Sequence, residues 1–576
     1  MQKKQTILVV ASLLVVVLSV TLAYFTAQII GEGKNISVTS ADLKIVFTDT
    51  DGNIEGSNIT PGWSNSKTFT VKNESNGTYK YDIIIKDLIN TFKTYKYLEY
   101  KITSTDGGYN MTDYSYLPKS STKEDVALAY EISIDKGKTH TYTIEVKYVN
   151  DEYVDQSIDM GQSLSGTIYI REFTKPTMKL TDKLMADNPT IGTRTTFTVF
   201  TETNTKRLYK ATEQIGTNES KDVYYFAGDA KNNWVKFGKK TESSCTYKGK
   251  EVVFADMTNQ TIKTPENETE CTSTNICYIG QNGAYYVGLT ESECSGIDGT
   301  KWITEKATWN GTSTKDIYWR IIRTNADGSV KLLYAGTSPD TEKAYIGHSA
   351  FNTTDNDPMY VGYKYGTTGS LENNRLNTND STIKAYVDNW YKNNLTAYTK
   401  YLSKDAVYCN DRNLASGQTY STTNSFKYAP YERMYTNIQP TYNCTNMSDA
   451  FSVNNTSAKL DYPVGLMSID ELSYAGGQAF TKLTAPYTWF YTNANGESIT
   501  GSAPFSSLSP VRWDDPSVDV WVALVSDYPG YFAQGNIKGS WAVRPSVSLL
   551  SCNLISRGDG SPKNPYEIYT GSGVCE

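Results

Sequence analysis

A mainly β fold is predicted by three features of this chain: period-two alternation of apolar and polar residues over short runs, Asp-Gly turns between those runs, and an unusual supply of tyrosine. There are 45 tyrosines in 576 residues, interleaved with threonine, serine and asparagine, a mixture that suits half-buried strands joined by polar turns. The length exceeds what one hydrophobic core serves, so at least two domains are expected. The patterning gives an N-terminal β-sandwich over 24–175, a connector over 176–205 and a larger α+β domain over 206–576.

The first residues read as a targeting segment. Lys3 and Lys4 precede an apolar run from Ile7 to Val20, and the small residues Thr21 and Ala23 follow. This is the three-part composition of a signal peptide over 1–23, with cleavage between Ala23 and Tyr24. The other reading is an N-terminal membrane anchor, since Thr6 to Ala27 reaches the ~20 apolar residues of a bilayer span, with the lysines held inside. Both place the bulk of the chain outside the cytoplasm.

In the sandwich, Ala41, Leu43, Ile45 and Phe47 alternate, and Asp51-Gly52-Asn53 offers the positive φ angles of a tight hairpin. Asp49, Asp51, Asn53 and Glu55 alternate as oxygen donors, but the glycine is misplaced for a calcium loop and the segment reads as that hairpin. Tyr79, Tyr81, Ile83 and Ile85 form a further strand, and Asp87 to Lys93 suggests a helical turn. Tyr142, Ile144, Val146 and Tyr148 follow the turn Asp135-Lys136-Gly137-Lys138, with Ile168 and Ile170 supplying a closing strand.

In the connector, Leu180, Leu184 and Met185 fit a short helix stopped by Asn188-Pro189. Beyond it, Val223 to Phe226 and Trp234 to Phe237 read as strands. Tyr318 to Ile322 and Val330 to Tyr334 flank Asp327-Gly328 as a hairpin. Between them lies a cysteine-rich insert at about 243–314, with a capping box at Thr290 and Glu293. Ile383, Val387, Trp390, Tyr391 and Leu395 share a helical face behind Asn379, Asp380 and Ser381. A second capping box, Ser468 with Glu471, opens a shorter helix that Gly476-Gly477 ends. The C-terminal strands run from Val518 to Val525 and from Trp541 to Leu550, with a turn from Gly535-Asn536 to Gly539 and Pro545 at an edge or bulge.

All eight cysteines lie at or after Cys245, and an even count in an exported chain points to disulfides. Proximity suggests Cys409 with Cys444, Cys552 with Cys575, and two bridges among Cys245, Cys271, Cys277 and Cys294. The formal charge of −7 and pI near 5.3 argue against nucleic acid as a partner, which calls for clustered Lys and Arg. With two histidines in the chain, His140 in a strand and His348 in a loop, no H-E-x-x-H zinc site is present. No catalytic, cofactor-binding or metal-ligating set is assigned, and the protein reads as a non-enzyme.

The run AYFTA from Ala23, SVTSADLKIVFTD from Ser37 and SNITPGWSNSKTFTVKNESNGTYKYDI from Ser57 resemble the opening of the camelysin and TasA family of exported Gram-positive proteins. The resemblance spans about the first 170 residues. It implies a jelly-roll domain and, by its best-known member, assembly into biofilm fibres; the metalloprotease assignment of camelysin finds no ligand set here. WRIIRTNADGSVKLLYAG from Trp319, LMSIDELSYAGG from Leu466 and WAVRPSVSL from Trp541 resemble a C-terminal module of Gram-positive surface proteins, similar to the formylglycine-generating-enzyme and C-type-lectin-like superfamily. That likeness implies a lectin-like fold. A lectin calcium site would need more ligands than Trp513-Asp514-Asp515 offers.

These readings converge on a non-enzymatic extracellular surface or biofilm-matrix protein, self-assembling or displayed through its N-terminal domain. The C-terminal domain then meets a glycan or another surface ligand. The N-terminal segment contacts the membrane if it stays uncleaved. The alternative is a carbohydrate- or receptor-binding adhesin, with a secreted hydrolase third.

Overall fold

The computed structural model describes residues 26–575 except 32–35, 41–42, 50–53, 58, 112–113, 153, 201, 204–205, 257–260, 281–282, 524–528 and 572–573. Residues 1–25, which include the expected signal peptide and the expected cleavage between Ala23 and Tyr24, lie outside the described residues. The chain is mainly β and forms two compact units, Met1–Lys175 and Pro176–Glu576.

The strands of the first unit are β1 (Thr26–Gly31), β2 (Ile36–Ser40), β3 (Leu43–Asp49), β4 (Ile54–Ser57), β5 (Ser64–Asn73), β6 (Tyr79–Asn90), β7 (Leu98–Ser104), β8 (Ser115–Tyr116), β9 (Ser120–Ile134), β10 (Thr139–Tyr148) and β11 (Ser163–Glu172). They form two sheets, ordered β4-β1-β11-β6-β9 and β2-β3-β5-β10-β7-β8. Alternation explains the core between them. Tyr142, Ile144, Val146 and Tyr148 of β10, with Phe69 and Val71 of β5, share one buried cluster with Ile83 and Ile85 of β6 and Ile168 and Ile170 of β11.

Two local expectations are corrected. The residues of the expected Asp51-Gly52-Asn53 hairpin lie outside the described residues, but the flanking strands do not pair with each other. β3 bonds to β2 and β5, whereas β4 bonds to β1 in the other sheet. Alternation marks a strand without saying which sheet it joins. Nor is Asp87 to Lys93 a helical turn: β6 runs on to Asn90, Asp87 takes φ 55°, and the register with β9 slips between Ile85 and Leu88. The slip changes the in-out phase, so Ile85 and Leu88 are both buried at a three-residue spacing that imitates a helix.

In the second unit the strand Trp234–Tyr247 pairs antiparallel with Thr308–Thr324. The latter forms the expected hairpin with Val330–Tyr334, which in turn pairs with Ser546–Leu549. Trp319, Ile321, Leu332, Leu333 and Val547 are buried there. The C-terminal strand expected from Trp541 to Leu550 is split into Trp541–Ala542 and Ser546–Leu549. Pro545 has no N–H to give to a ladder, and the buried Arg544 beside it donates to the carbonyls of Tyr334 and Phe490.

The helices follow their caps. Thr382–Asn394 starts at Ser381, whose hydroxyl accepts from the Lys384 N–H, and it buries Ile383, Val387 and Tyr391. Ile469–Ala475 carries the Ser468–Glu471 capping box and is buried at every position before Gly476. Residues 176–205 belong to the second unit instead of standing apart as a connector. Helix Leu180–Asp187 begins with the Leu180 N–H donating to the Asn553 carbonyl, and strand Thr190–Thr193 pairs parallel with Arg207–Glu213.

Candidate functional site

The eight cysteines form four disulfides, all in the second unit: Cys245–Cys271, Cys277–Cys294, Cys409–Cys444 and Cys552–Cys575. None is free. In the insert, Cys245 and Cys271 share one small buried cluster with Val252 and Ile276, while Cys277 and Cys294 share another with Leu289. Cys277 stands opposite Trp302 where strand Ile276–Ile279 pairs antiparallel with Thr300–Ile303, so its bridge to Cys294 ties the capped helix Glu291–Ser295 to that strand pair.

The two histidines lie in different units. His140 is buried on β10, its Nδ1 2.9 Å from the Tyr81 hydroxyl, which lies 2.6 Å from that of Tyr142. Burial lowers its pKa, with Asp106 and Asp135 pulling the other way. His348 sits in the two-residue strand His348–Ser349, paired to Ala542 and Ile262, and not in the expected loop. Two backbone neighbours turn that glycine-led segment into a bridge. Trp513 is buried, and Arg512 beside it pairs with Asp514 at 3.3 Å and Asp519 at 3.1 Å.

Among the described residues one carboxylate group, Asp380, Asp388 and Asp461, converges closely enough for a metal ion. Its centre already holds a cation. The fully buried Lys384 ammonium lies 3.1 Å from Asp380, 2.5 Å from Asp388 and 2.8 Å from Asp461. Burial pushes the Asp388 carboxyl up to about 6, against the pull of Lys384.

A polar cavity of about 20 Å³ opens among Glu213, Arg323, Lys331, Asp411, Arg433 and Glu471. That is room for about one water molecule, too little for a sugar ring. Its walls are ion pairs: Arg323 binds Glu213 at 2.8 Å and Glu471 at 3.0 Å, Lys331 binds Glu471 at 2.7 Å, and Arg433 binds Asp411 at 2.8 Å and Asp470 at 2.9 Å. Burial pushes the Glu471 carboxyl up, but Lys331 and Arg323 outweigh it and hold it below the usual range. The charges on its walls are thus paired with one another.

The outer side of the same region differs. Arg433 lies on a π-helical turn, Glu432–Asn437, closed by Ile438 in the left-handed conformation at φ 49°. The same turn carries Tyr435, the one aromatic residue among the described residues that is exposed, at 53%. Tyr435 meets Phe480 edge-on, with ring centroids 5.4 Å apart at 86°, and Phe480 meets Tyr531 at 5.9 Å and 76°. Buried Trp521 packs beneath Phe480 at 5.6 Å and stacks on Tyr431 at 6.2 Å.

Phe480 itself holds φ 53°. A bulky or β-branched residue in this region costs about 1–3 kcal/mol, is retained where its surroundings over-determine it, and tends to cluster at ligand-binding places, as π turns do. This aromatic shelf was not singled out from the sequence, where Tyr435 looks like any of the chain's tyrosines; the run Tyr431 to Ile438 carries no periodic signal. No protein-family model and no curated protein matches the chain.

Proposed function

We propose that this chain is an extracellular surface or biofilm-matrix protein that acts by contact and not by catalysis, its first unit assembling or displaying it and its second facing the environment. The observation that carries this reading is the full pairing of the cysteines in four disulfides, which fits an oxidising extracellular compartment. The signal-peptide composition of residues 1–23 and the resemblance of the N-terminal region to the camelysin and TasA family support it further.

Assembly would run through the segment after the cleavage point. In the single chain β1 fills a place in its own sheet, parallel to β11 from Thr26↔Ser163 to Gly31↔Ile168 and antiparallel to β4. The same register made between chains would add the strand of one subunit to the sheet of the next and satisfy an otherwise open edge. Deleting residues 24–36 from the mature protein is expected to abolish fibres seen by electron microscopy. Unchanged fibres would remove this mode of assembly.

A further inference from the structure

We infer that the stepped aromatic shelf of Tyr435, Phe480 and Tyr531 is a saccharide-stacking site; this rests on the reading of the second unit as the part that faces the environment. The geometry argues first. Successive rings stand nearly perpendicular, at 86° and 76°, and step outward from the half-buried Phe480 and Tyr531 to the exposed Tyr435, which also packs on Tyr431 at 5.3 Å. Trp521, buried beneath, fixes the position of Phe480. Arg433, one residue before the middle of the turn, clamps its inner side to Asp470 and Asp411, so Tyr435 is presented from a rigid base.

The surroundings then choose the ligand class. The exposed residues that follow Tyr435 are Thr436, Asn437 and Gln439, hydroxyl and amide groups that donate and accept hydrogen bonds. A pyranose ring offers a weakly positive C–H face, attracted by an aromatic π surface, and a rim of hydroxyls that such groups recognise. A protein partner docking by aliphatic side chains would meet polar groups at this rim instead of an apolar groove. Lys427, whose ammonium lies 4.4 Å from the Tyr431 ring centre, adds a donor on the adjoining strand.

The test uses the full-length mature protein, titrated calorimetrically with chitohexaose, cellohexaose, laminarihexaose and a mannan. Binding to at least one is expected, weakened tenfold or more by Tyr435→Ala and retained by Tyr435→Phe, because the ring and not the hydroxyl makes the contact. Phe480→Gly is expected to weaken it as well, since it removes a ring at a backbone conformation that glycine tolerates. Near-ultraviolet dichroism and the urea midpoint identify any variant that has lost its fold, and Tyr435, being exposed, is replaceable without that loss. No binding to any of the four saccharides, or binding that Tyr435→Ala leaves unchanged, overturns the site. Surface location and thiol content measured on the same samples keep a failed site distinct from a failed extracellular assignment.

Discussion

Arg323 is the centre of one buried ion cluster in the second unit. Its guanidinium joins Glu213 to Glu471, and the side chains of all three are at most 3% exposed. Its face also lies 4.4 Å from the Tyr442 ring centre. Replacing one partner of a buried pair leaves an uncompensated charge, which costs about 3–5 kcal/mol. Arg323→Met is therefore expected to lower the urea unfolding free energy of the second unit by about that amount. A loss under about 1 kcal/mol would mean that the two glutamates find other partners. None of this was legible in the sequence, where WRIIR reads as a strand and its two arginines look alike. Both are buried, and their partners distinguish them: Arg323 faces the carboxylates of Glu213 and Glu471, while Arg320 donates to the Asn233 amide oxygen and the Ala230 carbonyl. The shelf tyrosine was hidden for the opposite reason, since exposure is as unreadable as burial where tyrosine is common.

At the scale of elements, legibility followed local chemistry. Helices announced by a hydroxyl cap lie where their caps place them, because capping is settled within four residues. Ser381 both accepts from the Lys384 N–H and donates to the Tyr363 carbonyl at 2.8 Å, in a buried setting. Ser381→Ala is expected to cost about 1–2 kcal/mol, read as a lowered urea midpoint, with Ser381→Thr recovering most of it. An alanine variant indistinguishable from the parent would contradict the cap. Strand identity was likewise readable for β10, whose alternation stays in phase from end to end. It failed where phase changes, at Asp87 in β6, and where partners are chosen at long range, as when β3 and β4 enter different sheets. The three-residue spacing of Ile85 and Leu88 shows how a slip in register counterfeits a helical period.

At the scale of the whole molecule, the two units are built by different means. The first contains no cysteine and relies on one core shared by two sheets. The second combines long strands with small satellite clusters, two of which contain half-cystines of the insert. Small clusters bury little apolar surface, and a cross-link that constrains the unfolded chain offsets that shortage. Cysteine placement was legible as a count and a spacing; the partners inside the insert were not, because four cysteines close in sequence leave several pairings open. The most direct test of an extracellular protein acting by contact is protease shaving of intact cells followed by non-reducing peptide mapping. The account predicts peptides released from the cell surface that carry Cys245–Cys271, Cys277–Cys294, Cys409–Cys444 and Cys552–Cys575 as linked pairs. Peptides recovered only after lysis, with those cysteines as free thiols, would contradict it.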